Sequence, residues 1–180
     1  MTQKEQTAFI KLCFETSYRQ YERTDTLWAP EVPKEMRVGP SNEIGWFKWR
    51  LIPSTVTDSD LDKLECKMGC CFPSLLKTYL STYRHCFHHC GPTLIDDEWP
   101  DMPNRLVSAG YLPFECSYDE CYFIYCIDLV NMPEEDRCPV VAFGQDYRSL
   151  DMGSRQEMEA DCLFMAPNLE TFLGEQYGVY

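Results

Sequence analysis

All three histidines of the chain fall within six residues, His85-Cys86-Phe87-His88-His89-Cys90. On a helix His85 and His89 share one face, and Cys86 and Cys90 share the adjacent one. Either pair offers two ligands of the kind zinc prefers, and Cys66, Cys70 and Cys71 are further candidate thiolates. The pattern stops short of a metal centre. There is no Cys-x-x-Cys pair, and the position after His85 holds Cys86, where a zinc protease needs a Glu as general base. A cysteine nucleophile at Cys86 or Cys90 fails differently, because helix neighbours one or two apart do not face each other. The plainer reading is a helix end whose basic side chains meet the C-terminal dipole. No metal and no other cofactor is expected.

Cys116, Cys121 and Cys126 recur every five residues. On a strand Cys121 and Cys126 point to opposite faces, since their offset is odd, so they do not readily share one ion. The eleven cysteines are odd in number, and most sit in apolar runs such as Leu12-Cys13-Phe14 and Tyr125-Cys126-Ile127. They read as reduced, buried small hydrophobes rather than as a disulfide framework. The chain shows no Gly-rich phosphate loop, no dinucleotide fingerprint and no nucleophile elbow. Its carboxylates single out no acid/base pair. An enzyme is not expected.

Acid beside aromatic is the remaining pattern. Asp96-Asp97-Glu98-Trp99-Pro100-Asp101 sets four acids around a tryptophan. Tyr118, Asp119 and Glu120 fall in an expected hairpin turn, and Asp146 and Tyr147 follow an expected strand end. Such groups suit a Lys- and Arg-rich protein surface: the ring supplies desolvated area, and the acids steer encounter and fix register. Solvated loops are the blander account. The chain as a whole carries 29 Asp and Glu against 16 Lys and Arg, a formal charge of -13. This balance argues against nucleic acid and against an anionic membrane surface as partners. No stretch reaches the roughly 20 apolar residues of a membrane span. The opening Met1-Thr-Gln-Lys-Glu-Gln6 lacks the apolar core of a signal peptide, so a cytoplasmic location is expected.

These residues need a scaffold. Ile10, Phe14, Tyr18 and Tyr21 form one apolar stripe, predicting a helix over Glu5–Tyr21. Pro30, Pro33, Gly39 and Pro40 predict a loop or linker over 23–43, which the helix could fold back to cover. Ile44–Ile52 reads as a strand stopped by Pro53. Thr57–Asp60 starts a helix with Leu61, Leu64 and Met68 inward, closed by Gly69. Pro73-Ser74 starts the next, with Leu76, Tyr79, Leu80 and Tyr83 inward. Tyr111–Glu115, Cys121–Leu129 and Pro139–Phe143 read as antiparallel strands, with a further one near Met158–Phe164. A final helix carries Leu169, Phe172 and Leu173. The reading is one α+β domain on an antiparallel sheet over 44–180, with residues 1–43 as a helical and Pro/Gly-rich extension.

The order of motifs resembles the SMI1/KNR4 (SUKH) superfamily. Asp60-Leu-Asp-Lys-Leu-Glu-Cys-Lys-Met-Gly69 leads through Cys71-Phe-Pro73 to Leu75-Leu-Lys-Thr-Tyr-Leu80. Leu112-Pro113-Phe114 leads through Tyr118-Asp119-Glu120 to Tyr125-Cys126-Ile127-Asp128-Leu129, then Pro139-Val140-Val141 and Phe172-Leu173. The resemblance covers about Ile52 to Gly174, and departs from the family where Arg84–Gly91 replaces an Asn-Gly-Gly. It implies an immunity protein that binds and neutralises a cognate toxin of a bacterial polymorphic or contact-dependent system, an antitoxin acting by occlusion on a basic, nucleic-acid-modifying domain. It also implies an alternative, a non-enzymatic scaffold or regulatory module that binds other proteins. It transfers no catalytic residue.

Overall fold

The computed structural model describes residues 1–30, 32–84, 106–117, 123–131, 137–144 and 154–180. Helix α1 (Gln3–Arg23) opens with a reciprocal cap: Thr2 Oγ1 accepts from the Glu5 N–H, and Glu5 accepts from the Thr2 N–H at 2.7 Å. Ile10, Cys13 and Phe14 are buried in the main core, as the apolar stripe predicts. The helix then runs past that core. Tyr18 and Tyr21 turn their rings edge-on to Trp49, with centroids 5.2 and 6.1 Å away.

Trp49 belongs to a small antiparallel sheet of β1 (Trp28–Ala29), β2 (Arg37–Val38) and β3 (Phe47–Trp49), in the order β1-β3-β2. Leu27, Ala29, Val32, Met36 and Trp49 form its own core. The segment read as a linker is thus two strands and a 3-10 turn, and Trp28 pairs with Lys48 across residue 43. The regular elements within 23–43 are only two or three residues long, too short to show a period. Pairing with a distant strand holds them in place instead. The strand expected over Ile44–Ile52 shortens because Asn42 Oδ1 accepts from the Ile44 and Trp46 N–H groups, closing a turn through Gly45 at φ +84°.

Helices α2 (Asp58–Met68) and α3 (Ser74–Thr82) follow their patterns closely. Thr57 and Asp60 cap α2 reciprocally, and Gly69 closes it at φ +71°. Glu65 then clips the joint, accepting from the Phe72 N–H at 2.5 Å and pairing with Lys77 at 2.8 Å.

Strands β4 (Tyr111–Ser117), β5 (Phe123–Asp128), β6 (Val140–Gly144) and β7 (Leu163–Ala166) form an antiparallel sheet in that order. Before β7 comes helix α4 (Arg155–Asp161), and α5 (Leu169–Gln176) follows it. The strand expected near Met158–Phe164 therefore begins later. Ser154 and Glu157 form a capping box that commits residues 155–161 to a helix, and Met158 is buried by it. Both sheet faces are covered. Leu112, Phe114, Tyr125, Ile127, Val140, Ala142 and Ala166 face α1, α2, α3 and α5, while Tyr111, Ile124, Cys126, Val141 and Phe143 face Leu106 and Met158. The protein is an α+β fold with helices packed on an antiparallel sheet.

Gly110 enters β4 at φ +87°, and a Cβ there would lie 2.3 Å from Val130 Cγ2 and 3.1 Å from Arg155 Nη1. Gly110→Ala is expected to lower stability by about 1–3 kcal/mol, measured by urea unfolding. Adding Val130→Ala removes the closest contact and should restore some of the loss; no recovery would place the effect in the backbone and the Arg155 contact.

Candidate binding face and buried polar clusters

The sequence singled out Asp96, Asp97, Glu98, Trp99, Tyr118, Asp119, Glu120, Asp146 and Tyr147 as partner-binding residues. All nine lie outside the described residues, as does His85–Cys90. Their attachment points are described for two of the three groups. Ser117 pairs with Phe123, and Phe123 pairs with Gly144. Ser117, Phe123 and Gly144 therefore stand side by side at one end of the sheet, on three successive strands. In sequence, Tyr118-Asp119-Glu120 follows the first of these three residues and Asp146-Tyr147 the last.

Charge is unevenly divided along the chain. Residues 53–180 carry 22 Asp and Glu against eight Lys and Arg, whereas residues 1–52 carry seven against eight. The whole negative excess belongs to the part that builds the main sheet. The stretch that contains β7, residues 156–180, holds Glu157, Glu159, Asp161, Glu170 and Glu175 and no Lys or Arg.

Strand β7 is an end strand, and three consecutive apolar side chains on it are open to solvent: Leu163 at 50%, Phe164 at 68% and Met165 at 37%. Phe164 pairs with Val141 and Leu163 with Ala142, so they stand on opposite faces of the sheet. Val141 pairs with Phe164 but Val140 with Ala166, leaving Met165 as an extra residue at an irregularity in the ladder. Sequence reading took Leu163 and Phe164 as ordinary strand residues. Edge position depends on the order of strands, which no local pattern encodes.

Two buried polar groups also escaped the sequence reading. Glu115 is buried in the main core, where Tyr79 Oη donates to it at 3.5 Å and lies 2.9 Å from Tyr177 Oη. It faces the helices because of a bulge. Pro113 pairs with Cys126 and Glu115 with Tyr125, leaving Phe114 as an extra residue. Pro113 has no N–H to give, which an edge strand tolerates and which was the available sequence signal. Burial pushes the Glu115 carboxyl up to about 8. Its main property is to hold a proton near neutral pH.

The second group is Asp128, at the end of β5. Arg155 Nη2 donates to both its oxygens, at 2.9 and 2.8 Å. The Val130 and Asn131 N–H groups and Asn131 Nδ2 complete its shell at 3.0, 3.2 and 2.8 Å. Arg155 also donates to the Ala109 carbonyl and stacks over the Tyr111 ring at 4.5 Å. This pair fastens α4 to the sheet and so sets where β7 begins.

Cys13, Cys66, Cys70, Cys71 and Cys162 are free thiols, and Cys126 and Cys138 are buried. Burial pushes Cys13 up to about 12 and also raises Cys70 and Cys162, so these three are protonated at neutral pH and weakly nucleophilic. Among the described residues no cluster of three His, Cys, Asp or Glu could hold a metal, and no helix is long and apolar enough to cross a membrane. Comparison with protein families, curated proteins and solved structures returned no match.

Proposed function

We propose that the protein acts by binding: a cytoplasmic immunity protein that covers a basic toxin domain of a bacterial polymorphic or contact-dependent system and performs no reaction itself. One observation carries this reading. The negative excess is confined to residues 53–180, the part of the chain that builds the main sheet. The resemblance of the motif order to SUKH proteins supports the same reading and is the ground for naming a toxin as partner. An acidic patch beside exposed rings attracts a basic surface at long range and holds it at short range.

The test is co-expression with the toxin encoded beside it. Growth should be rescued, and the purified pair should form a one-to-one complex. Raising salt from about 50 to 500 mM should slow association about tenfold or more, because exposed charges are then screened. The Asp97→Ala, Glu98→Ala, Trp99→Ala triple variant should associate more slowly with an unchanged melting temperature. A wild-type protein that neither binds nor neutralises the adjacent toxin defeats the proposal. A stable complex with a host signalling protein in its place would favour the regulatory alternative.

A further inference from the structure

We propose that the outer edge of β7 is a docking strand that takes up an extended, apolar segment flanked by Lys or Arg from a basic protein partner. The inference rests on the binding function proposed above and names the element that grips. An end strand presents a row of N–H and C=O groups that a further strand can pair with. Among the described residues none hydrogen-bonds to that edge of Leu163–Ala166. Native edge strands are commonly guarded by a charged side chain or a proline within the strand. Leu163-Phe164-Met165-Ala166 has neither, and Pro167 lies just beyond it.

The exposed side chains fit the same occupant. Leu163 and Phe164 stand on opposite faces of the sheet, so an added strand meets an apolar neighbour on each face. Charge then selects among occupants. Glu157, Glu159 and Asp161 are exposed on the helix that leads into β7, and no Lys or Arg follows Arg155. A second copy of the chain would bring the same acids and a further -13 to the same place. A basic segment would be drawn in instead.

The probe is the synthetic peptide Lys-Lys-Val-Thr-Phe-Thr-Val-Lys-Lys, titrated into the full chain and followed by amide NMR. Shifts should centre on Leu163–Ala166. A version with Glu in place of Lys should bind at least about tenfold more weakly. So should a version N-methylated at alternate residues, which cannot pair its backbone. The Leu163→Glu, Phe164→Glu variant should lose peptide binding with an unchanged melting temperature. The methylated peptide gives the same answer without altering the protein. Absent shifts, shifts centred elsewhere, or equal binding of the Glu-flanked or methylated peptide would overturn the proposal. So would a wild-type dimer abolished by the double variant, which would make a second copy the occupant. Neutralisation separates this idea from the one it rests on. If wild type and double variant rescue growth equally, the docking edge falls and the immunity function stands. If the peptide docks on β7 but wild type rescues nothing, the immunity function falls and the edge stands.

Discussion

Asp128→Ala should lower the unfolding free energy by about 3–5 kcal/mol at pH 7, the usual range for breaking a buried ion pair by removing one partner. The carboxylate is 4% exposed and receives Arg155 and three further N–H donors. Its loss leaves the half-buried Arg155 guanidinium with only the more exposed Glu159, 2.9 Å away, as counter-charge, and leaves two backbone N–H groups after β5 without their acceptor. Removing both charges should be milder. Asp128→Ala with Arg155→Met is expected to recover part of the loss, because the apolar replacement needs no partner.

The pH dependence has a definite sign. Burial raises the carboxyl, but the donors from Arg155, Asn131 and Val130 together outweigh it and hold Asp128 below the ordinary Asp value. A depressed folded-state value means the pair contributes fully above the unfolded-state pKa of about 4 and is lost as pH falls through the folded value. Urea unfolding of wild type and Asp128→Ala should therefore differ most near neutral pH and converge in acid. A difference below about 1 kcal/mol, or one that stays flat down to about pH 3, would show that the pair does not fasten α4.

How legible these features were depends on the distance between cause and effect. Thr57, then Leu61, Leu64 and Met68, then Gly69 carry cap, stripe and stop within thirteen neighbouring positions, so α2 could be read directly. The strands Tyr111–Ser117, Phe123–Asp128 and Val140–Gly144 were legible for the same reason, each an apolar run bounded by turn formers. Ser154 and Glu157 were an equally local sign of α4, overshadowed by the apolar residues that follow. The small sheet was hidden, because Trp28 and Arg37 become strands only by meeting Lys48 and Trp49. The proposed binding face divides in the same way. Acids and rings are visible in a sequence, but the adjacency of Ser117, Phe123 and Gly144 comes from strand order, and so does the solvent beside Phe164. Asp128 and Arg155 stand 27 residues apart, with nothing between them to announce the pair.

Glu115→Gln should stabilise the protein at alkaline pH, an unusual result for a substitution in the core. The carboxyl is pushed up to about 8 by desolvation, with the Tyr79 hydroxyl only partly opposing it. The unfolded chain has an ordinary Glu value near 4.3. Between these limits the folded state binds the extra proton, so stability falls as pH rises through that window and the loss is complete only above about 8. Glutamine keeps an oxygen for Tyr79 and never ionises. The variant should match wild type near pH 4 and exceed it by roughly 2–4 kcal/mol at pH 8, less whatever its second amide hydrogen loses by lacking a partner. Urea unfolding across pH 4–9 measures this directly: wild type should decline by several kcal/mol more than Glu115→Gln. Tyr79→Phe, which removes the donor to the carboxylate, should steepen the wild-type decline. Parallel curves for wild type and Glu115→Gln would mean that Glu115 is ionised in the core at neutral pH. Its partners would then have to be stronger than a tyrosine hydroxyl at 3.5 Å.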